Sequence, residues 1–213
     1  MILHDFWRSS AAYRTRIALN LKGLDYQQVP HSLPAGEQRS AAFLALNPQG
    51  LVPALEVDGD VYTQSLAIIE YLDETHPQPP LLPPDPRGRA TVRAMSLTVA
   101  CDIHPLNNLR VLNWLRSELG AGEDAVTKWI REWIGLGFAA LEEQARRHSA
   151  AGRFCFGAQA TLADICLVPQ MYNARRFACD LAAYPTLVGI DAHCRSLEPF
   201  ERAAPERQPG AAR

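Results

Sequence analysis

Six prolines fall within ten positions at residues 77–86, in the run PQPPLLPPDP. Proline has no backbone N–H to donate and holds φ near about −65°, so neither a helix interior nor a central strand can pass through this segment. The chain is therefore expected to fold as two parts joined by a linker, residues 1–80 and 87–213. The first part alternates strand and helix. Apolar runs at 2–6, 26–29, 54–57 and 61–63 read as strands, and periodic segments at 11–22, 37–46 and 65–75 read as helices. Val57-Asp-Gly-Asp60 is a tight-turn signal between the last two strands. The order β-α-β-α-β-β-α is that of a small α/β layer structure.

Beyond the linker the pattern is helical throughout. Residues 87–119 contain no glycine after Gly88 and a single proline, Pro105, which is expected to kink the helix rather than end it. His104 and Asn108, four residues apart, would then share one helix face. Further helices are expected at 123–149, 162–177 and 184–197. Thr161-Leu-Ala-Asp164 is a capping-box variant, in which side chains at both ends satisfy N–H groups that a helix start leaves unpaired. It reads as a folding element, not as chemistry. The last residues, AAPERQPGAAR, have the composition of a disordered tail. There is no internal repeat.

Composition narrows the function classes. At 213 residues, 47% of them apolar, the chain is long enough to bury a core. A net charge of −2 gives no electrostatic case for nucleic acid or for an anionic membrane. No apolar run approaches the roughly 18 residues that a membrane span needs, and His4 and Asp5 interrupt the first run too soon for a secretory signal. The five cysteines are an odd number without CxxC spacing. That argues against a disulfide framework or a zinc site, and for a reducing cytosol; all five read as small apolar packing residues.

Chemistry is suggested first at WRSSAAYRTRIALNLK, residues 7–22. A strand ends, a cation appears at Arg8, and Ser9 and Ser10 precede a helix with Tyr13, Ile17, Ala18 and Leu21 on one side. Serines there can cap the helix. Its free N–H groups and dipole also stabilise negative charge, including a thiolate. In NPQGLVPAL, residues 47–55, Pro53 directly precedes a strand, a position that often marks a cis bond in a tight turn. A cis Val52–Pro53 bond would turn the Val52 backbone outward, able to pair with an extended peptide. Gln64-Ser65 falls where the next helix begins, so Ser65 can cap it and the free N–H groups can hold a carboxylate. Each piece alone is a packing or capping feature. Together they describe a peptide-binding surface with a thiolate-compatible site.

These parts, followed by a proline-rich linker and an all-helical half, resemble a cytosolic glutathione transferase. That resemblance makes the first half thioredoxin-like. RSSxxxRxRIALxLKG at residues 8–23, NPQGLVPAL, CDIHPLNNLRVL at 101–112 and LVPQMYNARRF at 167–177 are similar to the zeta class, which includes the maleylacetoacetate and maleylpyruvate isomerases. The resemblance implies glutathione as cofactor. It implies that the Ser9 hydroxyl bonds the glutathione sulfur with Ser10 beside it. Gln49, Val52 and the Pro53 turn would hold the cysteinyl and glycyl backbone, and Gln64 and Ser65 the γ-glutamyl carboxylate. His104 and Asn108 would line the glutathione site across the interface of a homodimer. The class commonly continues Ser-Ser-Cys, and here the third residue is Ala11, so no mechanism can depend on an enzyme cysteine at that point.

The implied reaction is a cis–trans isomerisation of a dicarboxylic substrate, maleylacetoacetate to fumarylacetoacetate, with glutathione as a nucleophile returned unchanged. A thiol of pKa about 8.5 is only a few per cent ionised at neutral pH, so a shift of roughly two units makes most of it reactive. The two carboxylates call for arginine, whose planar fork pairs bidentately with carboxylate; Arg8, Arg110 and Arg176 are the candidates. Arg175 and Arg176 lie about 100° apart on a helix, and the family motif assigns the second to substrate. Maleylpyruvate isomerisation differs only in the length of the distal keto-acid arm. A broader transferase or dehalogenase of small electrophilic acids, and a non-catalytic glutathione-binding scaffold, are the other readings.

Overall fold

Residues 1–211 are described by the computed structural model, and Ala212 and Arg213, the end of the expected disordered tail, lie outside them. The chain forms two units: Met1–Pro80 together with the segment from Ser196 onward, and Leu81–Arg195. The first unit runs β1 (Ile2–Asp5), α1 (Ser10–Leu21), β2 (Gln27–Pro30), α2 (Ala41–Leu46), β3 (Ala54–Val57), β4 (Asp60–Thr63) and α3 (Ser65–Thr75). That is the expected order, and it builds a thioredoxin-like mixed sheet. Its strand order is β2-β1-β3-β4, with β1 and β2 parallel and the other pairs antiparallel. β3 and β4 are joined by a two-residue turn, with Asp58 at φ 51° and Gly59 at φ 95°. Both lie in the left-handed region that such hairpins require.

One helix was expected over 37–46, and there are two short pieces. A 3-10 turn spans Glu37–Arg39; Ser40 is extended, and its Oγ accepts from the Phe43 N–H at 3.2 Å to start α2. The serine side chain offers the backbone a cap in place of continued helix.

α1 departs further from its pattern. The periodicity marks one side, yet every residue from Ala12 to Asn20 is buried, including Arg14 and Arg16. The Arg16 guanidinium donates to Asp5 Oδ2 (2.8 Å), the Trp7 carbonyl (2.9 Å) and the Ala203 carbonyl (3.0 Å). Asn20 Nδ2 donates to the Pro199 carbonyl at 2.9 Å. These bonds hold α9 (Glu198–Ala203) on α1, and Gln208, also buried, joins Gln28 at 2.9 Å. The tail expected to be disordered is thus ordered through Ala211, and the helical part does not extend to residue 213 as its boundary anticipated. Buried donors must find acceptors, and the returning chain supplies them. Lys22, equally buried, donates to Asp73 Oδ1 and the Pro79 carbonyl, both at 2.6 Å, and so ties α1 to α3 and to the start of the linker.

The second unit is helical: α4 (Pro86–Leu97), α5 (Leu109–Leu119), α6 (Glu123–His148), α7 (Leu162–Arg176) and α8 (Pro185–Arg195). Asp85 caps α4 through the Gly88 N–H at 2.9 Å, with Pro86 in the first turn, where its missing N–H costs nothing. The expected kink at Pro105 is instead a break. A π-helical turn at Thr98–Ile103 and a 3-10 turn at Pro105–Asn107 end the first helix. Asn108, extended at ψ 145°, then caps α5 as a new one. Proline removes a donor, and an N-cap residue three positions later lets the chain restart. Gly137 on α6 permits close packing against the π turn: a Cβ there would lie 2.3 Å from Ile103 Cδ1. The capping box at Thr161–Asp164 is present. The buried Asp164 carboxylate accepts from the Thr161 N–H and hydroxyl and also from the Cys155 N–H at 2.7 Å. Cys155, Cys166 and Cys194 are buried packing residues as expected, whereas Cys101 is exposed and Cys179 half-exposed.

Candidate active site

The sheet register gathers the first unit's candidate residues at one end. His4 near the end of β1 pairs with Ala54 at the start of β3, and Ala54 pairs with Thr63 at the end of β4. The loop after β1 carries Arg8, Ser9 and Ser10, the loop before β3 carries Gln49, Val52 and Pro53, and Gln64-Ser65 follows β4. All three therefore open on the same edge.

Ser9 is the cap of α1, with its Oγ accepting from the Ala12 N–H at 3.2 Å. A hydroxyl has one hydrogen to give, and with the helix using the oxygen as acceptor, that hydrogen is left for an anion. Ser10 is already inside the helix and buried. The two serines are therefore not equivalent. Arg8 sits beside Ser9 with its guanidinium over the Trp7 ring at 5.2 Å.

The Val52–Pro53 bond is cis. The β3 ladder begins at Ala54, so the Val52 peptide group lies outside it. Asn47, which the sequence did not single out, shapes this loop. Its side chain donates to the Leu51 carbonyl at 2.7 Å and accepts from the Gln49 N–H at 3.1 Å. An asparagine opening a Pro- and Gly-containing loop is the signal that could have found it. Gln49 Oε1 in turn accepts from Gln64 Nε2 at 2.8 Å, which joins two residues fifteen apart in the chain.

Ser65 does not cap α3, as expected of it; it is the first helical residue, and Gln64 is the cap position without a capping side chain. The first N–H groups of α3 thus have no side-chain cap. Gln64 is held at φ 68°, ψ 113°, a left-handed backbone that non-glycine residues adopt at a cost of about 1–3 kcal/mol and that clusters at ligand sites. Beneath it, buried Arg14 donates from Nη1 to Ser65 Oγ at 3.4 Å. Arg14 also went unrecognised, because nothing local distinguishes a buried arginine from a solvated one.

The second unit carries His104, Asn108, Arg110 and Arg176. His104 is half-buried where the π turn ends. Asn108 does not share a helix face with it: its Oδ1 accepts from the Arg110 N–H at 3.1 Å, and its position is that of a cap. Arg110 is exposed in the first turn of α5, where the helix dipole and its own charge both favour an anion. Arg175 and Arg176 separate as the 100° spacing requires. Arg175 donates to buried Asp191 Oδ2 at 2.5 Å, and Arg176 is exposed with its guanidinium 4.6 Å from the Phe177 ring centre. Burial pushes the Asp191 carboxyl above its ordinary pKa, and the Arg175 hydrogen bond pulls it back.

Among the described residues no group of three or more His, Cys, Asp or Glu side chains could hold a metal ion, and no helix is long and apolar enough to cross a membrane. Residues 8–75 match the family model described as glutathione S-transferase, N-terminal domain. The maleylacetoacetate isomerase of Rhizobium meliloti is 53% identical over 206 residues, covering 97% of this chain and 96% of its own. A holo structure of maleylpyruvate isomerase, described as a bacterial glutathione S-transferase of the zeta class, has a TM-score of 0.97 at 50% identity, covering 100% of both chains. Maleylacetoacetate isomerase from Methylobacterium extorquens AM1, solved with malonate and glutathione bound, has a TM-score of 0.96 at 43% identity, covering 100% of both chains.

Proposed function

Since this chain belongs to the zeta class of the glutathione S-transferases, we propose that it is a glutathione-dependent cis–trans isomerase of a maleyl keto-diacid. Maleylacetoacetate is the lead substrate, in tyrosine and phenylalanine breakdown. Maleylpyruvate, in gentisate breakdown, is the second, and relatives of both names are about equally similar. The observation that carries the reading is the single sheet edge bearing Ser9, the Val52 peptide and the uncapped start of α3. We read these as a sulfur site, a backbone clamp and a carboxylate site for one tripeptide-like ligand.

When bound, glutathione supplies a thiolate that adds to one alkene carbon, permits rotation about the resulting single bond, and leaves again unchanged. Ser9 donates its hydroxyl hydrogen to the sulfur, and the N-terminus of α1 adds its positive end; both favour the ionised form. Gln49 and the Val52 peptide hold the backbone of the ligand, and Gln64 and Ser65 its γ-glutamyl carboxylate. Arg8, Arg110 and Arg176 bind the substrate carboxylates and the negative charge that develops on its keto group. His104 and Asn108 complete the glutathione site across a homodimer interface.

The purified protein should isomerise the diacid only with glutathione present, and free thiol should stay constant over many turnovers. Stoichiometric thiol loss would instead identify a conjugating transferase. We place the protein in the cytosol, which its free cysteines favour, as a symmetric dimer. Light scattering at micromolar concentration should give twice the 23.6 kDa chain mass; a 23.6 kDa particle would overturn the dimer.

A further inference from the structure

Arg14 lies five residues beyond Ser9 on α1, is 2% exposed, and donates to Ser65 Oγ. A guanidinium has donors only and does not lose its proton. The Ser65 hydroxyl hydrogen therefore cannot point at Arg14, and the start of α3 beside it likewise offers N–H donors. Among the described residues the Ser65 hydroxyl donates to none. Its surroundings call for an acceptor that the first unit does not supply. The 3.4 Å bond is long for a charged donor, and such contacts commonly tighten only when the ligand is in place.

We propose that Arg14 is a positioning residue for the γ-glutamyl α-carboxylate of glutathione. It fixes Ser65 Oγ as an acceptor, so that the Ser65 O–H donates to the carboxylate, and it places a permanent buried cation behind that bond. The proposal rests on the glutathione reading above and adds a residue to it. Arg14 acts on binding of one carboxylate, through Ser65, and not on the sulfur. Glutathione loses selectivity over a ligand without that carboxylate when Arg14 is changed.

The test measures dissociation constants of glutathione and of γ-aminobutyryl-cysteinylglycine, which is glutathione without the γ-glutamyl α-carboxylate. It uses the wild-type protein, Arg14→Gln, Ser65→Ala and the double variant. Arg14→Gln should weaken glutathione about tenfold, as expected for a lost contact to a charged group, and leave the analogue within twofold. The double variant should bind glutathione no more weakly than Ser65→Ala. If Arg14→Gln does not fold, Arg14→Lys keeps the buried cation and should weaken glutathione alone, by about threefold. Equal weakening of both ligands, or additive effects with Ser65→Ala, would overturn the role of Arg14. Failure of the wild-type protein to prefer glutathione over the analogue would overturn the carboxylate site itself.

Discussion

Ser9→Ala should lower kcat by about 10- to 1000-fold, the range for removing one hydrogen bond to a developing charge, while Ser10→Ala should change it little. The asymmetry follows from the cap of α1. Ser9 Oγ accepts from the Ala12 N–H and keeps its hydrogen for the sulfur, whereas Ser10 is enclosed in the first turn. The cause is separable from the effect on rate. Thiolate absorbance of bound glutathione should titrate up to about two units higher in the Ser9 variant. An unchanged thiol pKa would mean that the α1 N-terminus alone ionises the sulfur and that Ser9 has been given the wrong task.

Arg176→Ala and Arg175→Ala should fail in different ways. Arg176 is exposed, and as the partner of the distal carboxylate it should cost about 1.5–3 kcal/mol in kcat/KM for the diacid, roughly 10- to 150-fold, with glutathione affinity intact. Arg175 is bonded to Asp191, whose carboxylate is fully buried. Its removal leaves the buried carboxylate with only the longer 3.8 Å ion pair to Arg195, so the loss should appear in stability, about 1.5 kcal/mol or roughly 3–6 °C in Tm. The kcat/KM per folded molecule should not change. Measuring kcat/KM and Tm for both variants on one batch of diacid decides the matter. A larger kinetic loss at Arg175 would show that the motif had been read one residue out of register.

The parts of the fold that rest on local signals were legible in advance. β3 and α3 begin and end where the pattern placed them, the Asp58-Gly59 turn joins β3 and β4, and the Thr161–Asp164 box starts α7. Propensity, alternation and capping act over a few residues, so the residues themselves carry the information. The candidate site divides along the same line. Ser9 and the Pro53 turn were readable from their positions at element boundaries. Ser65 was placed at the right helix but in the wrong role, since the choice between cap and first turn depends on the unusual backbone of Gln64.

What the sequence determined by itself was the order of strands and helices in the first unit, the linker, and which loops carry polar groups. Tertiary structure decided where the buried polar groups found their partners. Arg16 bonds a carbonyl 187 residues away, Asn20 one 179 away, and Arg14 a hydroxyl 51 away. No local pattern distinguishes these side chains from solvated ones. Their burial becomes affordable only when a distant segment delivers an acceptor. The same reason accounts for the ordered return of the chain beyond Ser196 and for the pairing of Arg175 with the buried Asp191 on the neighbouring α8.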